Sequence, residues 1–219
     1  MTFSGFPDQG LVFYEGLEAD NSKTYWSQHK ADYDACVRAP MLALLEELAP
    51  EFGPAKVFRP YRDVRFSHDK TPYKTHQGAV VTPEGRGAGS WYVQISADGL
   101  MVSGGSWRLE SDQVARYRRA VADPVQGPRL DAEVERLRGA GWAIEGDRLV
   151  RVPAGYPADA ERLDLLKHKS LHATRHWTPE VWLHTPAVVD RVRDAWRDLD
   201  ALNRWLADNV GATTKEPRR

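Results

Sequence analysis

The sequence predicts an α+β fold: a single domain whose mainly antiparallel sheet has N-terminal and C-terminal helices packed against it. Three observations carry this. Apolar residues recur at three-to-four spacing through the first fifty residues, the period drops to two from Lys56, and a helical period returns around Val114. The dipeptides Asp98-Gly99 and Gly146-Asp147 each link two extended segments, as hairpins of antiparallel strands do. No Gly/Ser/Pro linker and no repeat divides the 219 residues, so one domain over residues 1–211 is expected, followed by a polar, disordered tail over 212–219.

Leu11, Tyr14 and Leu17 mark a first amphipathic helix, closed by Asp20-Asn21. Tyr25, Trp26, His29, Tyr33 and Val37 begin a longer one, which resumes after Pro40 with Met41, Leu44, Leu45 and Leu48. Pro40 lacks a backbone donor and its ring clashes with the preceding turn, so a kink or split is expected there. Pro50, Gly53 and Pro54 end the helical region.

Residues 62–67 are weighed as a strand, and strands are expected over 78–82, 90–97 and 100–105. In 90–97, Trp91, Val93 and Ile95 face one way and Tyr92, Gln94 and Ser96 the other. Asp98-Gly99 is read as a turn with both central residues at positive φ. Val114, Tyr117 and Val121 mark one helix; Leu130, Val134 and Leu137 mark the next, with Pro128 near its first turn and Gly139 beyond its end. Residues 142–145 and 148–151 flank Gly146-Asp147 as a second hairpin. The last helix starts at Thr185 as cap and Pro186, and its stripe is Val189, Val192, Trp196, Leu199, Leu202 and Leu206.

Composition narrows the function. A net charge of −1, 42% hydrophobic and 28% charged residues describe an ordinary globular chain, and the near-neutral balance argues against sequence-independent coating of nucleic acid. No apolar run approaches the ~18–20 residues needed to span a bilayer, so no membrane partner is expected. The first residues lack a basic segment followed by an apolar one, so no secretory signal is read, and Cys36, the single cysteine, excludes an internal disulfide. A cytoplasmic location is expected. Cys36 lies on a half-apolar helical segment and is read as a packing residue.

The charge is concentrated between Arg59 and His76. Five cations (Arg59, Arg62, Arg65, Lys70, Lys74) meet two aspartates (Asp63, Asp69) in a stretch of net +3, on a chain of net −1. Such local surplus points to a specific anion. On a strand, Asp63, Arg65 and Ser67 share one face, so Asp63 and Arg65 can hold each other, while Arg62 sits among apolar neighbours, where a guanidinium needs an anion. Guanidinium also suits two-pronged recognition of phosphate or carboxylate. Asp69 and Pro72 then shape a turn that aims Lys70 and Lys74. The ligand-binding set is Arg59, Arg62, Arg65, Lys70 and Lys74, with Asp63, Asp69, Ser67 and Tyr73 orienting it. The competing reading of the same residues is a structural ion-pair network.

Other signals are weaker. Ser67-His68-Asp69 has triad residue types, but consecutive side chains do not converge in a relay. Residues 85–89 (Gly-Arg-Gly-Ala-Gly) join two strands and read as a hairpin tip, not a phosphate loop. His168, His172 and His176 recur every four residues, yet Lys167, Lys169 and Arg175 crowd them with positive charge and no acidic ligand lies among them, so no metal is assigned. Lys167, Lys169 and Arg175 form a second basic cluster. Trp91, Trp107 and Trp177 are candidate stacking walls, with core filling as the default. No catalytic signature and no cofactor motif is found.

The segment Phe58-Arg59-x-x-Arg62-Asp63-x-Arg65-Phe66-Ser67-x-Asp69-Lys70-x-Pro72-Tyr73-Lys74 resembles the signature of an uncharacterised bacterial and fungal family, domain of unknown function 2461. The resemblance runs from about Phe6 to Leu206 and includes Asp98-Gly99-Leu100, Gly104-Gly105 and Lys169-Ser170…Ala173-x-Arg175. The chain departs from the family pattern at Pro60, usually aliphatic, at His68, usually Lys, and at His172, usually aromatic. The family brings no established activity with it.

The expected function is binding of a small anionic ligand, a phosphorylated metabolite or nucleotide, with Arg62 and Arg65 clamping the anion. The alternative is a module that docks an acidic protein or single-stranded nucleic acid.

Overall fold

The computed structural model describes residues 2–65, 68–83 and 87–215. Helices α1 (Asp8–Ala19), α2 (Lys23–Tyr33) and α3 (Ala39–Phe52) open the chain, and strands β1 (Ala55–Val57), β2 (His76–Val81), β3 (Ser90–Ser96) and β4 (Gly99–Ser106) come next. Then come α4 (Ser111–Ala122), α5 (Gln126–Gly139), β5 (Ala143–Glu145), α6 (Leu163–Leu166), β6 (Leu171–Trp177), α7 (Ala187–Asp198) and α8 (Asp200–Asn209). The six strands form one antiparallel sheet in the order β1-β2-β3-β4-β6-β5, and the fold is α+β. The described residues divide into two compact units, one within Met1–Val81, Tyr92–Val102 and His176–Ala195, the other within Thr82–Trp91, Ser103–Arg175 and Trp196–Arg219.

In the first unit, Ser22 caps α2, its hydroxyl accepting from the Tyr25 N–H at 3.1 Å. Between α2 and α3 the residues Asp34–Arg38 form a π-helical turn, in which the Ala39 N–H reaches back to the Asp34 carbonyl. This is how the chain meets the expected break at Pro40: a wider turn relieves the clash of the proline ring with the turn before it. Phe13, Tyr14, Leu17, Met41, Leu44, Leu48, Ile95 and Leu100 are buried. Along β3 burial alternates, and the residues of β3 in this unit that face inward are Val93 and Ile95.

Two readings of this unit need correction. The β3–β4 turn does not place two residues at positive φ: Gly99 has φ 106° and no described non-glycine residue is positive. Ala97 and Asp98 make the turn, with Gly99 directly after it; a Cβ there would stand 2.2 Å from the Trp177 carbonyl oxygen. Nor do residues 62–65 form a strand; Tyr61 alone bridges Tyr73. Pro60 and Pro72 give their carbonyls to the Lys74 and Arg62 N–H groups at 2.8 and 2.9 Å, but as prolines they have no N–H to return, so the ladder stops.

In the second unit, Tyr117, Val121, Leu130, Val134, Leu137, Leu166 and Trp196 are buried. The hairpin expected around Gly146-Asp147 does not form. β5 pairs with β6 instead, Ala143 opposite Thr174 and Glu145 opposite His172, and Arg148 bridges His168. Gly146 makes this continuation possible: at φ 141°, a Cβ on it would lie 2.1 Å from the Ser170 carbonyl oxygen. The single final helix is in fact two, parted at Leu199. Arg136 Nη2 takes the Asp198 carbonyl at 2.6 Å, while Arg136 Nη1 and the Trp142 indole N–H hold its carboxylate, each at 2.6 Å. A helix carbonyl so engaged favours a break in the backbone ladder. Beyond α8, Asp112 accepts from the Thr213 hydroxyl at 2.8 Å and the Thr214 N–H at 2.9 Å; residues 216–219 of the tail lie outside the described residues.

Candidate functional site

The charged motif is built on a ribbon of the first unit. β1 and β2 pair from Ala55 opposite Val81 to Val57 opposite Ala79, and the Phe58 N–H extends the ladder to the Gly78 carbonyl at 3.0 Å. Three side chains from the helical region secure the adjoining segment between Phe58 and Gln77. The Asn21 amide donates to the Tyr73 carbonyl and accepts from the Tyr73 N–H, each at 3.0 Å. The Trp26 indole stacks on the Tyr73 ring. The Tyr33 hydroxyl donates to the Gln77 side chain at 2.5 Å, and the Gln77 amide donates to the Phe58 carbonyl at 2.9 Å.

On this base the charges sort into two groups. Arg65 grips Asp63 with two N–H groups, Nε to Oδ1 at 2.9 Å and Nη2 to Oδ2 at 2.6 Å, although Arg65 is 77% exposed. Arg62 pairs with Asp69 and also donates to the Thr71 hydroxyl at 2.5 Å. Asp69 Oδ1 accepts from the Thr71 N–H at 2.9 Å, which closes the turn. Lys70 donates to the Val64 carbonyl at 3.0 Å. Both carboxyls are held at about 2, Asp63 mainly by the Arg65 hydrogen bonds and Asp69 mainly by the Thr71 N–H.

The second group consists of cations without such partners. Lys74 lies over the Phe58 ring at 5.2 Å, and its pKa is lowered, first by burial and then by the Arg59 charge. His76 is depressed likewise by burial, then by Lys74 and Arg62. No carboxylate among the described residues pairs with Arg59 or Lys74. Like charges therefore gather along one ribbon, while the acidic residues of the motif are paired with Arg62 and Arg65. The Arg59 charge acts on Asp63 only in addition.

The fold treats the positions named from sequence unequally. Arg62, Arg65, Asp63 and Asp69 meet in pairs; Arg59 and Lys74 share one field; Lys70 is tied to backbone; Tyr73 is buried, with its ring on Trp26. Ser67 lies outside the described residues, as do Phe66 and residues 84–86 of the glycine-rich tip. His76 and Asn21 escaped sequence reasoning. His76 stands at the motif's edge, and the reach of Asn21 to Tyr73 spans 52 positions.

Lys167, Lys169 and Arg175 belong to the second unit. Lys169 pairs with Asp147 at 2.5 Å, and Arg175 lies 4.2 Å over the Trp142 ring. His168 and His172 are buried and depressed by that burial, while His176 is exposed. Among the described residues no group of three or more His, Cys, Asp or Glu could hold a metal. No helix among them is long and apolar enough to cross a membrane.

Residues 9–205 match the profile of the family described as Conserved hypothetical protein (DUF2461), and the chain belongs to that family. No curated protein and no solved structure matches it.

Proposed function

We propose that this protein binds a small anionic ligand, bearing phosphate or carboxylate, on the ribbon of the first unit. Lys74 and Arg59 supply the charge. Asp63 and Asp69 hold Arg65 and Arg62 in place. His76, its pKa lowered by burial and then by the Lys74 and Arg62 charges, adds an imidazole that as the neutral ring carries one donor and one acceptor. The observation that supports the reading is Lys74, a half-buried ammonium set against Arg59 with no carboxylate partner among the described residues. An ammonium in that setting gains from an incoming anion what it lacks from the chain. The pairs Arg62–Asp69 and Arg65–Asp63 favour a structural role for those four residues, which leaves Arg59 and Lys74 as the attracting groups.

A melting-temperature series with phosphate, nucleotides and dicarboxylates tests this in wild type, Lys74→Met and Arg59→Met. An anion at a hundred times its dissociation constant adds about 2.7 kcal/mol, a rise of roughly 5–10 °C for a chain of this size. The reading requires that rise in wild type and its loss in Lys74→Met, with the unliganded melting temperature kept within a few degrees. A rise unchanged in both variants sinks it. Short oligonucleotides added to the same series at low and moderate salt discriminate the alternative: binding to them only, with steep salt dependence, moves the assignment to nucleic acid.

A further inference from the structure

The second unit carries a cleft of about 660 Å³, a volume typical of small-molecule sites. Its lining mixes apolar side chains, Leu109, Val114 and Leu149, with three cations, Arg108, Arg118 and Lys169, and one carboxylate, Asp147. Arg108 is also paired with Glu110 at 3.5 Å. None of these residues belongs to the β1–β2 ribbon or to the charged motif built on it.

Two features give the cleft a chemistry. Trp107 is 44% exposed, and the buried His172 ring supports it from behind, with centroids 3.8 Å apart and planes at 22°. The result is a rigid aromatic ledge at the cleft. Arg118 is anchored by its Nε, which donates to the Leu166 carbonyl at 3.0 Å, yet its Nη2 is enclosed and has no acceptor. Arg118 also lines the cleft, where its guanidinium suits a phosphate or carboxylate group. Lys169, on the same lining, pairs with Asp147, whose own N–H donates to the Ser170 hydroxyl at 2.7 Å.

We propose that this cleft is a second ligand site, which takes a small aromatic anion: a planar ring lies on Trp107, and a phosphate or carboxylate group meets Arg118 and Lys169. A ring alone gains stacking but leaves the cations of the lining without an anion. A bare anion gains the cations but leaves the ledge and the apolar part of the lining wet. Only a molecule with both parts uses the whole cleft.

Titration calorimetry on the intact protein with adenosine monophosphate, adenosine, inorganic phosphate and benzoate tests this. A probe that joins ring and anion, adenosine monophosphate or benzoate, binds at least tenfold more tightly than adenosine or phosphate. The Trp107 indole N–H resonance, assigned with Trp107→Phe, shifts on its addition. Arg118→Gln lowers that affinity at least tenfold with an unchanged circular dichroism spectrum; should that variant not fold, Lys169→Met, at a partly exposed position, is read instead and lowers it likewise. Binding persists in Lys74→Met, which separates this cleft from the ribbon. The proposal is overturned if neither joined probe binds, if the Trp107 resonance stays in place, if affinity is unchanged in the cleft variants, or if it is lost in Lys74→Met.

Discussion

The Trp26 indole lies nearly flat on the Tyr73 ring, with centroids 4.4 Å apart and planes 8° from parallel. Trp26 comes from α2 and Tyr73 from the ribbon, so this stack joins a helix of the first unit to the segment that carries Lys74. Trp26→Ala should therefore destabilise by about 3–5 kcal/mol, the range for removing a buried tryptophan. At roughly 2–4 °C per kcal/mol, the melting temperature falls by about 10 °C. A loss below about 1 kcal/mol in denaturant unfolding would show that Trp26 does not anchor the ribbon.

Asn21 fastens the same residue by its backbone, once as donor and once as acceptor. Asn21→Ala leaves both Tyr73 backbone groups without this partner, at a cost of about 1–3 kcal/mol. Because Asn21 and Trp26 act on one residue, the double variant should cost less than the two single losses combined. Strict additivity in a denaturant cycle would show that the two anchors are independent.

Acid should loosen the loop in a defined window. Asp63 and Asp69 titrate at about 2 in the folded protein, below the ~3.9 of an unfolded chain. Their folded pKa values are depressed, so the stabilising contribution is complete above about pH 4 and lost as the pH falls through about 2. Both side chains are exposed, and the effect is read best by carboxyl NMR titration. In Arg65→Met the Asp63 midpoint should rise toward ~3.9 while Asp69 stays in place; an unmoved Asp63 midpoint contradicts the pairing.

Two glycines respond in opposite directions to alanine. Gly146 combines φ 141° with a Cβ position 2.1 Å from the Ser170 carbonyl oxygen. Gly146→Ala meets both backbone strain, about 1–3 kcal/mol, and a clash with main chain, so it destabilises strongly. Gly139 ends α5 with open space around it. Gly139→Ala should be neutral or stabilise by up to about 1 kcal/mol. Thermal unfolding of the pair checks this, and a well-tolerated Gly146→Ala would refute the close approach of β5 to Ser170.

Patterns that act within a few residues were legible in the chain alone. The three-to-four spacing of Leu11, Tyr14 and Leu17 marks α1, and the alternation at Trp91, Val93 and Ile95 marks β3. Pro40 announces a disturbed helix, since its missing donor is a property of the residue itself. The contact between Asp63 and Arg65 spans two positions.

Features that escaped such reading depend on partners far away in sequence. Nothing near Gly146 shows that β5 will choose β6, some thirty positions on, over the segment beside it. The stripe through Leu199 looks continuous until Arg136 takes the Asp198 carbonyl, 62 positions away. The bare charge count ranks five cations alike. Folding pairs Arg62 and Arg65 with aspartates and leaves Lys74 on Phe58 beside Arg59. It likewise brings Trp107, Arg118 and Lys169 to the lining of one cleft, though they are spread over some sixty positions. Periodicity and turn chemistry are local free energies, whereas pairing, burial and charge compensation are set by which distant side chains packing brings together.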